Sequence, residues 1–138
     1  MSMPEAVFYQ PRSVPFPRRI LTYLAVGVAR LLATRSPRRI RMVLGRLRRG
    51  ATPATVEQAK AARDDVVAVS LHCAAREGCV ARSLATVLLC RLRGQWPTWC
   101  VGARVVPPFA AHAWVEAEGV MVGEDYPPDY FRTLVTVR

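Results

Sequence analysis

Cys79, His112 and a carboxylate at either Glu124 or Asp125 have the types and order that fit nucleophilic acyl chemistry. A thiol attacks a carbonyl as its thiolate, so it needs a base to take its proton and a third group to orient that base. Cys79 follows Gly78, and after it Val80, Leu84, Val87 and Leu88 recur at helical spacing. The spacing predicts a helix that opens at the cysteine, stops at Gly94 and is kept from resuming by Pro97. A thiol in a first turn feels the positive end of the helix dipole, which favours thiolate. The backbone N–H of Cys79 is then a candidate oxyanion donor. The plain alternative is that such a cysteine is a small core residue. Cys79, Ser83, Thr86 and Cys90 form a neighbouring strip of small residues, suited to lie close under a sheet.

Pro108 to Glu116 reads as a strand whose alternation puts His112, Trp114 and Glu116 on one face and Ala111, Ala113 and Val115 on the other. Glu118-Gly119 is a turn, and Val120 to Gly123 a short returning strand, so the two make a hairpin. That hairpin brings a carboxylate at 124 or 125 back beside His112. Strand alternation alone leaves both carboxylates open. Trp114 either packs beside the site or serves the core. Gln95, the one glutamine after Cys79, lies at the far end of the helix and supplies no second oxyanion donor.

The remaining elements must carry these groups. Residues 1–17 hold four prolines and read as an extended arm. Ile20 to Ala33 is an apolar helix, shorter than the roughly 20 residues a bilayer requires and interrupted by Arg30. The Arg18-Arg19 pair has the outline of a twin-arginine export signal, against which stand Arg30 and the lack of a small-residue cleavage site. A helix facing the core or a partner is expected, rather than one lying on a membrane. Ser36-Pro37 opens a second helix with Ile40, Val43, Leu44 and Leu47 on one side, and Thr52-Pro53 is expected to open a third by the same device, with Val56, Ala59, Val66 and Val67 inward. His72 and Cys73 fall in the connection to Cys79. Trp99 to Val105 and Leu134 to Val137 complete a sheet of about four strands. The expected class is α+β, with 18–70 a basic helical region and 71–138 the catalytic core, the two forming one compact domain.

Four cysteines (73, 79, 90, 100) include no Cys-x-x-Cys pair of a structural zinc site, so no metal or cofactor is expected, and reduced thiols in a cytoplasm are the expectation. A disulfide between two of them stays open. The net charge of +10 is lopsided: residues 1–50 hold eleven arginines against Glu5, while residues 51–138 hold nine basic and nine acidic side chains. The arginines of the second helix, Arg38, Arg39, Arg48 and Arg49 among them, are either a solvated face or a dock for an acidic partner.

Arg-x-Gly-Cys-x-x-Arg-Ser-Leu at 76–84, Pro-Phe-x-Ala-His-Ala-Trp-Val-Glu at 108–116 and Gly-x-x-Val-Gly-Glu at 119–124 resemble the leader peptidases of lasso-peptide biosynthesis, the transglutaminase-like peptidase half of the lasso B protein. The resemblance covers about residues 65–138 at motif level. It implies a transglutaminase-like, papain-like cysteine peptidase core with Cys79 as nucleophile, His112 as base and Glu124 as third member. The family's usual third member is an aspartate, which is where Asp125 competes. Arg82 and Ser83 match the motif as residues lining the site or supporting it. The resemblance also implies partners: a separate leader-recognition protein, the precursor's leader and the cyclase that follows. Two other classes remain from the residues themselves. One is a transglutaminase-like acyl transferase using the same triad. The other is a basic nucleic-acid-binding protein, against which the arginines are not interleaved with aromatics and no binding motif occurs.

Overall fold

The computed structural model describes residues 14–124, 126–127 and 129–138, without the side chain of Arg76. Asp125 and most of the expected N-terminal arm lie outside the described residues. The first helix, α1 (Phe16–Leu32), begins before the arm was expected to end, because Pro17 sits in its first turn, where a missing N–H costs nothing. The second, α2 (Pro37–Leu47), is capped by Ser36, whose side chain accepts from the backbone N–H of Arg39, and it buries Ile40 and Leu44.

Thr52-Pro53 does not open the third helix. These two residues form a short strand, β1 (Thr52–Pro53), that pairs in parallel with β2 (Gln95–Trp96). The helix α3 (Val56–Val69) starts instead at Thr55, through a capping box in which Thr55 accepts from the N–H of Gln58 and Gln58 reaches back to the N–H of Thr55. Two satisfied donors at one cap are worth about 1 kcal/mol or more, which a Thr-Pro pair without a partner three residues on cannot match. His72 and Cys73 are likewise not in a loop but in a single-turn helix, α4 (Leu71–Ala74), capped by the hydroxyl of Ser70.

The helix α5 (Cys79–Leu92) opens at the cysteine, and Gly94 follows its end with φ of +81°. Its burial departs from a single stripe: every residue from Ala81 to Cys90 is buried. The reason is its place in the fold, since α1 and α3 pack on it from one direction and the sheet from another. Leu84, Val87 and Leu89 are wholly inaccessible, so truncating either leucine to alanine would cost about 2–5 kcal/mol.

The sheet has the order β5-β4-β3-β6 and is antiparallel throughout, with β3 (Thr98–Arg104), β4 (Ala111–Ala117), β5 (Val120–Met121) and β6 (Phe131–Val137). Glu118 and Gly119 both take positive φ, the geometry that closes a two-residue hairpin between β4 and β5. One core runs through the molecule, joining Ala25, Ala29 and Leu44 of the basic region to Leu84, Trp99 and Val115. Asp65, wholly buried on α3, accepts from Arg18 of α1 and Arg93 beyond α5, so three helices meet on one carboxylate. Burial opposes its charge, but the two guanidiniums hold its carboxyl below the usual carboxylate range. All four cysteines are free thiols.

Candidate active site

Cys79 is the first residue of α5, and Gly78 caps it with no side chain of its own. A Cβ at Gly78 would run into the backbone of His72 and Cys73, so α4 approaches the turn before Cys79 as closely as only glycine permits. Arg82, 2% exposed, donates from Nη1 to the carbonyls of Cys73 and Ala75 at 3.0 and 3.3 Å, tying the preceding loop under the helix start. Ser83 donates to the Val80 carbonyl and accepts from Trp99 Nε1 at 3.0 Å, which locks α5 onto β3. Arg82 and Ser83 are thus scaffold for the thiol's position rather than walls of its cleft.

His112 reaches the thiol from β4. Its Nε2 lies 2.5 Å from Glu124 Oε1, with both side chains largely buried. With Nε2 taken by Glu124, Nδ1 is the nitrogen left for the hydrogen bond to Cys79. The imidazole is wedged among rings: Phe131 stacks at 4.8 Å and 17°, Trp114 at 6.0 Å and 16°, and Tyr126 meets it edge-on at 5.7 Å. Trp114 Nε1 donates to Glu116 Oε2 at 2.9 Å, which fixes that indole in turn. The alternation read from the sequence therefore holds: Ala113 and Val115 enter the core, while Trp114 packs beside His112.

The electrostatics separate this thiol from the other three. Burial pushes the Cys79 thiol up, but the hydrogen bond to His112, the backbone N–H of Ala113 and the charges of His112 and Arg82 outweigh it and leave it below the ordinary thiol value. Burial likewise works against charge on His112, and its bonds to Cys79 and Glu124 overcome it, raising the imidazole to about 9. Both shifts favour a thiolate–imidazolium pair over the neutral one. Burial raises Cys73, and it drives Cys90 to about 12; Cys100 also rises to about 12, from burial and then from Glu116.

One feature of the site had no motif to reveal it. Arg63 of α3 is 7% exposed, and its guanidinium and stem lie against Gly123: a Cβ there would sit 2.5 to 2.8 Å from Cδ, Nε and Cζ. Gly123 has φ of +74°, a second reason for glycine. Burial lowers the Arg63 pKa, Arg82 lowers it further, and Glu124 pulls it back up, so Arg63 and Glu124 feel each other's charge. A buried arginine on an amphipathic helix reads as a solvent-facing residue until the hairpin is folded over it.

The thiol opens into a cleft of about 300 Å³ lined by Cys79, His112, Tyr126 and Phe131, with Glu77 and Arg104 also on its walls. A larger hollow of about 590 Å³, lined by Trp114, Glu116, Glu124 and Tyr130 among others, shares Tyr126 and Phe131 with the cleft but does not reach the thiol. Of the two, only the smaller is lined by Cys79 and His112. Gln95 lies in β2 and lines neither. Arg38, Arg39, Arg48 and Arg49 are all exposed, and Arg48 also donates to the Arg138 carbonyl at 2.8 Å. Among the described residues no three His, Cys, Asp or Glu side chains converge as a metal would need, and no helix is long and apolar enough to cross a membrane.

A thiolate at a helix start, an imidazolium on a neighbouring strand and a carboxylate behind it can form and break a thioester. Neither a curated protein nor a solved structure matches the chain. Residues 22–136 match the family model described as the transglutaminase-like superfamily, so the chain belongs to that superfamily. Its members are typically cysteine-dependent enzymes and include both peptidases and acyltransferases.

Proposed function

We propose that this transglutaminase-like protein is a cysteine peptidase that removes the leader from a ribosomally made lasso-peptide precursor in the cytoplasm, before a separate cyclase closes the ring. The observation that carries the acyl chemistry is the single depressed thiol, Cys79, bonded to an imidazole whose other nitrogen is held by buried Glu124. The leader-peptidase part rests on the three motifs at 76–84, 108–116 and 119–124.

In this reading the Cys79 thiolate attacks the carbonyl at the leader–core junction. The negative charge that develops on oxygen is met by the Cys79 N–H, one of the amides at a helix start that lack an intrahelical acceptor. His112 as imidazolium gives its Nδ1 proton to the departing amine, so the peptide C–N bond breaks and a thioester remains. Water then loses a proton to His112 and attacks the thioester, releasing the leader as a free acid and restoring the thiolate. Glu124 keeps the imidazole ring in register and stabilises its charge through both steps. The stacked faces of Phe131 and Trp114 leave the ring little freedom to turn.

The deciding experiment incubates the protein with the precursor and the separate leader-recognition protein and reads masses. Leader and core as two fragments that together gain one water support the proposal. An added primary amine appearing in the leader fragment would move the chain to acyl transfer, and an intact precursor would remove the proposal.

A further inference from the structure

The helix α1 is apolar on two opposite sides. Ala25, Val26, Ala29 and Leu32 are buried against the rest of the molecule. Phe16, Ile20, Tyr23, Leu24, Val28 and Leu31 are between 44% and 68% exposed. Their spacing of i, i+4, i+7, i+8, i+12 and i+15 puts the exposed six in one stripe along the helix, a length of about 23 Å at 1.5 Å per residue. Gly27 lies in the middle of that stripe, and a Cβ built on it meets nothing within 4 Å, so an incoming surface can approach the backbone there. A helix apolar all round belongs in an interior, and an ordinary monomer does not leave such a stripe to water.

Charge decides what covers it. Residues 14–56 contain ten arginines and no acid. Joining two copies through this face would bring those arginines together, which disfavours a homodimer. A helix lying in a bilayer surface turns a polar face rich in Lys and Arg away from its apolar one, whereas the face of α1 opposite the exposed stripe is packed into the core. Arg19 and Arg30, eleven positions apart, fall on one border of the stripe, while the other holds Leu21 and Val28 and no cation. Arg18 is turned inward onto Asp65. Arg35, Arg38 and Arg39 follow the helix end, all of them exposed.

From this asymmetry we infer that the outer face of α1 is the seat of a partner protein that presents an apolar ridge with an acidic wall along one side only. The identity of that partner, the leader-recognition protein, rests on the proposed function. The docking face lies on a different helix from the thiol, so it delivers substrate without entering the chemistry.

The test compares the full chain with two variants, Leu24→Glu combined with Leu31→Glu, and Arg30→Glu alone. Affinity for the purified recognition protein is measured by fluorescence anisotropy. The double variant should bind at least tenfold more weakly. Arg30→Glu should bind several-fold more weakly at low salt, with the difference shrinking as salt rises. Alkylation of Cys79 should be unchanged in both, and cleavage should recover at saturating partner. Unchanged affinity, or no binding by the parent, overturns the inference. So does a parent dimer that the double variant dissolves, which would assign the face to a second copy. Loss of parent binding to phosphatidylglycerol vesicles in the double variant would assign it to a lipid surface. Partner binding that appears only after removal of residues 2–13 would assign it to the chain's own N-terminal segment. If the parent binds the partner through α1 yet leaves the precursor uncut, the peptidase reading fails while the docking face stands.

Discussion

Replacing Glu124 by glutamine keeps the shape of the site and removes one charge. Its Oε1 is 2.5 Å from His112 Nε2, with side-chain exposures of 11% for the histidine and 7% for the glutamate, so water screens the pair poorly. A hydrogen bond to a charged group in such a place contributes about 1.5–3 kcal/mol. At 1.36 kcal/mol per pKa unit, that lowers the His112 imidazole by about 1–2 units. The parent value is about 9, reached because the bonds to Cys79 and Glu124 favour the protonated ring. The sign follows: His112 is protonated below its pKa, so the parent keeps its thiolate–imidazolium pair up to about pH 9 and loses the acid for the leaving amine above it. In Glu124→Gln the alkaline limb of the turnover profile moves down by about 1–2 units, and the plateau rate falls roughly 10- to 150-fold, the same 1.5–3 kcal/mol expressed as rate. The assay is steady-state cleavage of the precursor between pH 5 and 10, with alkylation of Cys79 followed in parallel. An alkaline limb that stays in place in Glu124→Gln but moves in Asp125→Asn would transfer the orienting role to Asp125 and refute the argument from this contact.

Iodoacetamide at neutral pH should modify one thiol in the folded protein, Cys79, because Cys73, Cys90 and Cys100 are buried and raised. Intact-mass analysis should show a single adduct, absent in Cys79→Ala; a second adduct before unfolding would contradict it. Gly123→Ala places a Cβ 2.5 Å from the Arg63 side chain at a φ of +74°. It should lower Tm by about 3–10 °C, from about 1–2 kcal/mol of left-handed strain, and should slow cleavage because Glu124 is the next residue. Calorimetry and turnover on one preparation check both, and a variant as stable and as fast as the parent would mean that the Arg63–Gly123 packing does not hold the carboxylate.

The local chemistry of this chain was legible from residue order. A glycine-cysteine step before an apolar run marks the start of α5, and Glu118-Gly119 marks the hairpin turn, since both depend on neighbours a few positions away. Period-two alternation from Ala111 onward separated the core residues Ala113 and Val115 from His112 and Trp114 in the same way. The cap of α3 was misplaced because Thr52-Pro53 and Thr55-x-x-Gln58 are rival local signals, and pairing with Gln95 and Trp96, more than forty residues on, settles which one folds as a strand. Burial of α5 on all sides could not be read from a helical stripe, because it takes helices on one side and a sheet on the other. The same holds for Arg63. Its contact with Gly123 and its charge interaction with Glu124 join residues some sixty positions apart, and no pattern on α3 distinguishes it from the exposed Lys60 one turn earlier. Periodicity and capping act within a few residues, whereas desolvation and the field at a buried charge depend on everything packed around it, so Cys79 and His112 stood out as candidates in the sequence, while the contact of Glu124 with His112 and the electrostatics of the site came only from the tertiary structure.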